Sequence, residues 1–80
     1  MYKIGQQIYY YSDNDPEIMP DKIHFIKMQM VDGEIIDKYA FLYKPVYVPG
    51  EIIDSGKAFG GYYYFTNLRK AKKHRKNSVK

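Results

Sequence analysis

The chain predicts a mainly β fold: a small, strongly bent antiparallel barrel of about five strands, closed by a short C-terminal α-helix. Three observations carry that expectation. Ten Tyr and four Phe stand among only 80 residues, and such side chains suit a half-buried pleated surface. Asp32-Gly33 sits between two apolar stretches, the strongest short-range hairpin signal. Gly60 and Gly61 lead into Tyr62-Tyr63-Tyr64-Phe65, then Thr66 and a basic segment with Leu68 and Ala71, which reads as a strand running into a helix. Eighty residues make at most one domain. A chain this short buries only about 60% of its unfolded surface, so large side chains are needed to fill a thin core.

The elements follow in order. Residues 2–11 form a lead-in, a turn at Gly5 and a first strand, with Ile4 and Ile8 as core candidates. In Ile8-Tyr9-Tyr10-Tyr11 apolar residues fall on both faces, so alternation does not select a buried one. Residues 12–21 are a first loop rich in Asp, Asn and Pro, with Pro16 and Pro20 as breakers. Residues 22–31 alternate from Ile26 on: Ile26, Met28 and Met30 point one way, Lys27 and Gln29 the other. Residues 34–44 return as the partner strand. A two-residue turn would set Lys27 against Lys38 and Met28 against Asp37. A three-residue loop with a bulge at Gly33 would set Gln29 against Asp37 and Phe25 against Phe41. The second register avoids like charges directly opposite and is the one expected.

Residues 45–61 are irregular, with turns marked by Pro45, Pro49-Gly50, Ser55-Gly56 and Gly60-Gly61. A short edge strand is expected at 46–48, where prolines are tolerated and where pairing between subunits is conceivable. Residues 51–54 are ambiguous. The last strand is 62–65, Thr66 is the expected N-cap, and the helix runs roughly 67–76 with Leu68 and Ala71 docked on the barrel. The domain spans 1–74, and 75–80 are expected to be a basic disordered tail.

The parts resemble a known group. The lead-in Tyr2-Lys3-Ile4-Gly5, the Asp32-Gly33 hairpin, and the closing strand followed by Phe65-Thr66-Asn67-Leu68-Arg69-Lys70-Ala71 resemble small SH3-like-barrel proteins of Gram-positive bacteria, their phages and mobile elements. In that group a short helix beginning Thr-x-x-Glu-Ala closes the barrel. Here Arg69 stands in the Glu position and Ala71 falls one residue late. The resemblance covers most of residues 2–74 and implies an SH3-like antiparallel barrel. Because the group is functionally mixed, it implies no single activity.

Chemistry-bearing patterns are sparse. There is no Cys, hence no disulfide, thiol nucleophile or thiolate metal site, and a cytoplasmic setting is expected. No segment approaches the ~20 apolar residues of a membrane helix. His24 falls in a strand and His74 in the basic segment, without a companion nucleophile, so no enzyme activity and no catalytic residue are expected. Asp13, Asp15 and Glu17 have the opening spacing of a calcium loop, but Ile18 and His24 occupy its Gly and Glu positions. No metal or other cofactor is expected.

Charge carries the positive signal. Residues 1–54 hold nine acids against five lysines, a net of −4, whereas residues 55–80 hold six Lys and two Arg without an acid, +8. Such asymmetry suits a polyanionic or acidic partner. The expected contact residues are Arg69, Lys70, Lys72, Lys73, Arg75 and Lys76, with Tyr63 as a stacking ring beside them, or Tyr62 and Tyr64 if the strand faces the other way. His74 is expected to touch the same partner. The function read from these residues is a non-catalytic binding module for nucleic acid or a nucleoprotein complex. An acidic protein surface would suit the same residues. The alternative is a phage or mobile-element effector that binds and inhibits a host protein through the sheet and residues 45–61, for which small size and an AT-rich-type composition argue. No membrane association is expected, since the helix lacks an apolar face for lipid, and the oligomeric state is left open.

Overall fold

A computed structural model of the chain describes residues 2–44 and 46–78. Five antiparallel strands form one curled sheet: β1 (Gln7–Ser12), β2 (Met19–Val31), β3 (Glu34–Phe41), β4 (Val48–Pro49) and β5 (Tyr62–Phe65), followed by one helix, α1 (Leu68–Ser78). The strand order is β4-β3-β2-β1-β5, a meander whose last strand returns to pair with the first. The result is a half-barrel with a short C-terminal helix, as its sequence predicts.

The long β2 makes the curl. Its first half pairs with β1, from Tyr10↔Met19 to Gln7↔Lys22. Its second half pairs with β3, from Ile23↔Phe41 to Val31↔Glu34. Between them the register slips, because Ile23 and Phe25 face consecutive β3 residues and His24 is extra. A bulge of this kind bends and twists its strand, which is how one strand serves two halves of a barrel. β2 also begins earlier than expected. Pro20 lies inside it, opposite Tyr9, on the outer strand of its half-sheet where a missing N–H is tolerated.

The hairpin register is the two-residue one, with Met28 opposite Asp37 and Lys27 opposite Lys38, so the expected three-residue loop with a Gly33 bulge is corrected. Asp32 and Gly33 have φ of 52° and 81°, the paired positive values of a turn whose twist matches that of the strands. Gly33 is suited to that backbone because it has no Cβ to strain. The like-charge cost is offset by a cation–π contact, the Lys27 ammonium lying 5.4 Å from the Tyr47 ring centre. The chain between β3 and β5 is irregular apart from β4. There β4 occupies Val48 and Pro49 rather than 46–48, and a Phe59↔Tyr62 bridge across Gly60-Gly61 turns the chain into β5. The expected turn residue Pro45 lies outside the described residues.

Two clusters of buried side chains lie on opposite sides of the β1–β5 pair. The barrel interior holds Ile8, Ile23, Tyr39, Phe41, Val48, Ile53 and Tyr64. The other face holds Tyr11, Phe65 and Ala71, with Tyr9, Ile18 and Tyr63 packed against them. The unbroken apolar runs in β1 and β5 therefore reflect burial on both faces. Ile8 is a core residue as expected, while Ile4 is 65% exposed because the Gly5 turn carries it outside. Gly50 closes the barrel's open side: a Cβ there would lie 2.9 Å from Tyr39 Cε2, and its N–H donates to Asp37 O at 2.9 Å.

One buried carboxylate organises the end of β3. Asp21 is 2% exposed and accepts from the backbone N–H groups of Lys22 (2.7 Å), Tyr43 (3.1 Å) and Lys44 (3.1 Å). Replacing it by Ala leaves those donors unsatisfied. Asp21→Ala should lower unfolding free energy by about 1–3 kcal/mol, read from urea midpoints, with Asp21→Asn less harmful.

The tyrosine core gives stability a pH dependence of known sign. Burial, then the neighbouring Tyr10 and Tyr62, push the Tyr64 phenol well above its ordinary value of 10.0. Burial also raises Tyr2 and Tyr10, aided by the Asp54 and Asp21 charges respectively. A raised folded-state pKa means that the unfolded chain loses its protons first, so this stability is complete below the unfolded value and declines above it. Denaturant midpoints attributable to these groups should hold between about pH 8 and about pH 9.5, then fall steadily toward about pH 11.

Candidate nucleic-acid interface

The helix is positioned from behind. Its inner side carries Ala71, fully buried, with His74 and Arg75 half-buried one turn on. The His74 ring lies 4.7 Å from Tyr63, 5.3 Å from Phe65 and 6.0 Å from Tyr11, centre to centre. Its Nδ1 is hydrogen-bonded to the Tyr11 hydroxyl. Arg75 reaches across to the first loop, its Nη1 donating to Pro16 O at 2.9 Å. These contacts explain why the helix extends to Ser78. The segment expected to be a disordered tail is thus helical over 75–78, and 79–80 lie outside the described residues.

Local chemistry starts the helix. Asn67 is the N-cap, its Oδ1 accepting from the N–H groups of Arg69 (2.8 Å) and Lys70 (3.4 Å). Thr66, the expected cap, is engaged elsewhere: its N–H and Oγ1 both donate to Asp54, at 2.9 and 2.6 Å. Asp54 also lies 3.6 Å from Lys70 Nζ. The first turn of α1 has no acidic residue, and cations there oppose the helix dipole. Asp54, delivered from the preceding loop, supplies the missing negative charge.

The outer side is different in kind. Arg69, Lys72, Lys73 and Lys76 are all exposed, and their spacing of three, four and seven residues puts them on one face. None of the four makes an ion pair among the described residues. The six cations expected at the site therefore divide. Four form an outward stripe, while Lys70 turns toward Asp54 and Arg75 toward Pro16. A shallow cleft between helix and first loop, lined by Pro16, Glu17, Lys72, Arg75 and Lys76, flanks the stripe.

Tyr63 does not join that stripe. It is half-buried on the inner side of the helix. Its ring lies 5.2 Å from Tyr11 and its hydroxyl donates to Asp13 Oδ2 at 3.2 Å. Loss of water, followed by the Asp13 charge and hydrogen bond, raises its pKa. Tyr64 is in the barrel interior. Tyr62 carries the Lys44 ammonium 3.5 Å from its ring centre. Leu68, expected to dock, is 38% exposed, at the margin of the inner face on which Ala71 is buried. His74, expected to meet a partner, is a packing residue. The signal that could have found it is its spacing of three from Ala71.

Among the described residues no group of three or more His, Cys, Asp or Glu side chains could hold a metal ion, and no helix is long and apolar enough to cross a membrane.

The capping assignment is testable by substitution. Asn67→Ala should cost about 1 kcal/mol of stability, through the lost cap, and Thr66→Val should act through Asp54. Thermal unfolding of the two single variants and the double variant measures how far the roles are coupled, and because Asp54 also pairs with Lys70 a coupling of about 0.5 kcal/mol or more is the expected outcome.

Comparison with protein-family models, with curated proteins and with solved structures gives no match to this chain.

Proposed function

We propose that this chain is a non-catalytic binding module that associates with nucleic acid, or with a nucleoprotein complex, through the outer face of α1. The observation that carries the reading is the stripe Arg69-Lys72-Lys73-Lys76, exposed and without ion pairs among the described residues. A helix held from behind by Ala71, His74 and Arg75 presents those cations on a fixed support, which lowers the ordering cost of binding. Four phosphates neutralised by such a stripe release their condensed counterions. The module reads charge and backbone rather than base sequence, since its aromatic neighbour Tyr63 is packed inward. A cytoplasmic setting belongs to this proposal.

A second reading has its own support. Leu42, Tyr43, Val46 and Tyr47, in the connection from β3 to β4, are exposed, Tyr43 to 77%. A host protein gripped there by a phage or mobile-element effector would use these side chains and leave α1 free.

The test is a fluorescence-anisotropy titration with short single- and double-stranded DNA and RNA at two salt concentrations. Side-chain replacement is the right perturbation, because truncation at Ala71 would also remove His74 and Arg75, which hold the helix. On double-stranded DNA, log affinity should fall with log salt at a slope of about −3 to −4. Lys72→Gln/Lys73→Gln/Lys76→Gln should weaken binding and flatten that slope toward about −1. No binding at low salt would end this reading. A discrete protein captured equally by the native chain and the triple variant, but lost with Tyr43→Ala, would favour the second.

A further inference from the structure

The outer edge of β2 between the bulge and the hairpin turn has no strand beside it. β1 and its lead-in cover β2 only as far as Ile23, whose N–H donates to Gln6 O (3.0 Å) and whose carbonyl accepts from Gly5 N (2.7 Å). From Phe25 to Val31 the only strand pairing among the described residues is with β3. With a two-residue turn, Val31, Gln29 and Lys27 exchange hydrogen bonds with β3. Ile26, Met28 and Met30 turn their N–H and C=O groups outward. Edges of this length are normally blunted by proline, several charges or a cover; here the stretch 25–31 contains one charge, Lys27. Several of its apolar side chains are exposed: Phe25 57%, Met28 68%, Met30 71% and, on the neighbouring strand, Ile35 67%. The opposite edge of the hairpin is not equivalent, since Gly50 donates to Asp37 O and Pro49 lies beside Lys38.

We propose that a second copy of this chain pairs along this edge, antiparallel, about a two-fold axis at Met28. The free stretch is seven residues long and Met28 is its middle, so this register pairs the whole stretch with itself. It sets Phe25 opposite Val31 of the second copy, Ile26 opposite Met30, Lys27 opposite Gln29, and Met28 opposite Met28. No like charges meet. Sliding the axis to Lys27 would put that lysine against its own copy, which is unfavourable. The interface is isologous, as closed dimers require. It joins two hairpins into a continuous four-stranded ribbon, with Met28, Met30 and Ile26 of both copies on one face. A different protein adding a strand has no such reason to stop at this length and centre. The inference is independent of the nucleic-acid reading, because α1 packs on β1 and β5 and not on this hairpin. If both hold, each dimer carries two basic helices and gains from linked binding.

Sedimentation equilibrium of the full chain over a concentration series tests it, with the exposed Gln29 as the lever. Gln29→Lys places two lysine pairs across the axis and should weaken the dimer about tenfold; Gln29→Glu creates two opposite-charge pairs and should tighten it several-fold. Amide hydrogen exchange of the native chain gives a second reading that needs no variant. Ile26, Met28 and Met30 amides should gain protection as concentration rises, while Lys27 and Gln29 amides stay protected throughout. A chain that remains monomeric to about millimolar concentration, or a dimer indifferent to both charges at position 29, would overturn the proposal. So would outward amides whose exchange is independent of concentration.

Discussion

The pairing of β1 with β5 is the contact on which the rest depends. Tyr9 lies opposite Phe65, Tyr10 opposite Tyr64 and Tyr11 opposite Tyr63, and the last two pairs bring their ring centres to 6.0 and 5.2 Å. One face of the pair roofs the barrel interior and the other is the floor under α1. Without it, Tyr64 would lose the barrel core and Ala71 would have nothing to dock on. The abundance of tyrosine has a physical logic in this setting. A phenol ring fills volume in a thin layer, while its hydroxyl can reach a polar partner at the layer's edge, as Tyr11 does with His74 and Tyr63 with Asp13.

The architecture was legible because its signals were local: an Asp-Gly turn, an aromatic strand, and a helix spacing that marked Ala71. Failures came where a non-local term outweighed a local one. The rule against facing lysines picked the wrong hairpin register, because turn geometry acts on the whole ribbon while Lys27 can swing onto Tyr47. Thr66 and Asn67 are both capable caps, and only the approach of Asp54 from a loop twelve residues away decides between them. The tyrosine runs gave no preferred face, and neither face is solvent. Of the candidate site, the charged residues were legible from composition alone. Which of them are committed to internal contacts was not, because Asp54 and Pro16 are brought to Lys70 and Arg75 only by the fold.

The molecule separates its tasks spatially. Structural contacts concentrate on the inner side of α1 and around Asp21, while Arg69, Lys72, Lys73 and Lys76 take no part in them. On the proposed reading, substitutions on that stripe would therefore change binding with little effect on the core, whereas changes at His74 or Tyr11 would alter both.

The floor under α1 also has a temporal meaning. β2 and β3 meet through a two-residue turn, a nearly free closure, but β1 and β5 come from opposite ends of the domain and must close a loop spanning most of it. Long-range pairing of this kind is the slow part of folding. The surface on which the helix rests does not exist until that closure is made. The cationic stripe is thus presented in its fixed form only by a finished molecule. A nascent or partly folded chain carries the same charges but lacks the support that aligns them, so on the proposed reading the topology itself would limit premature engagement of a polyanion in this geometry.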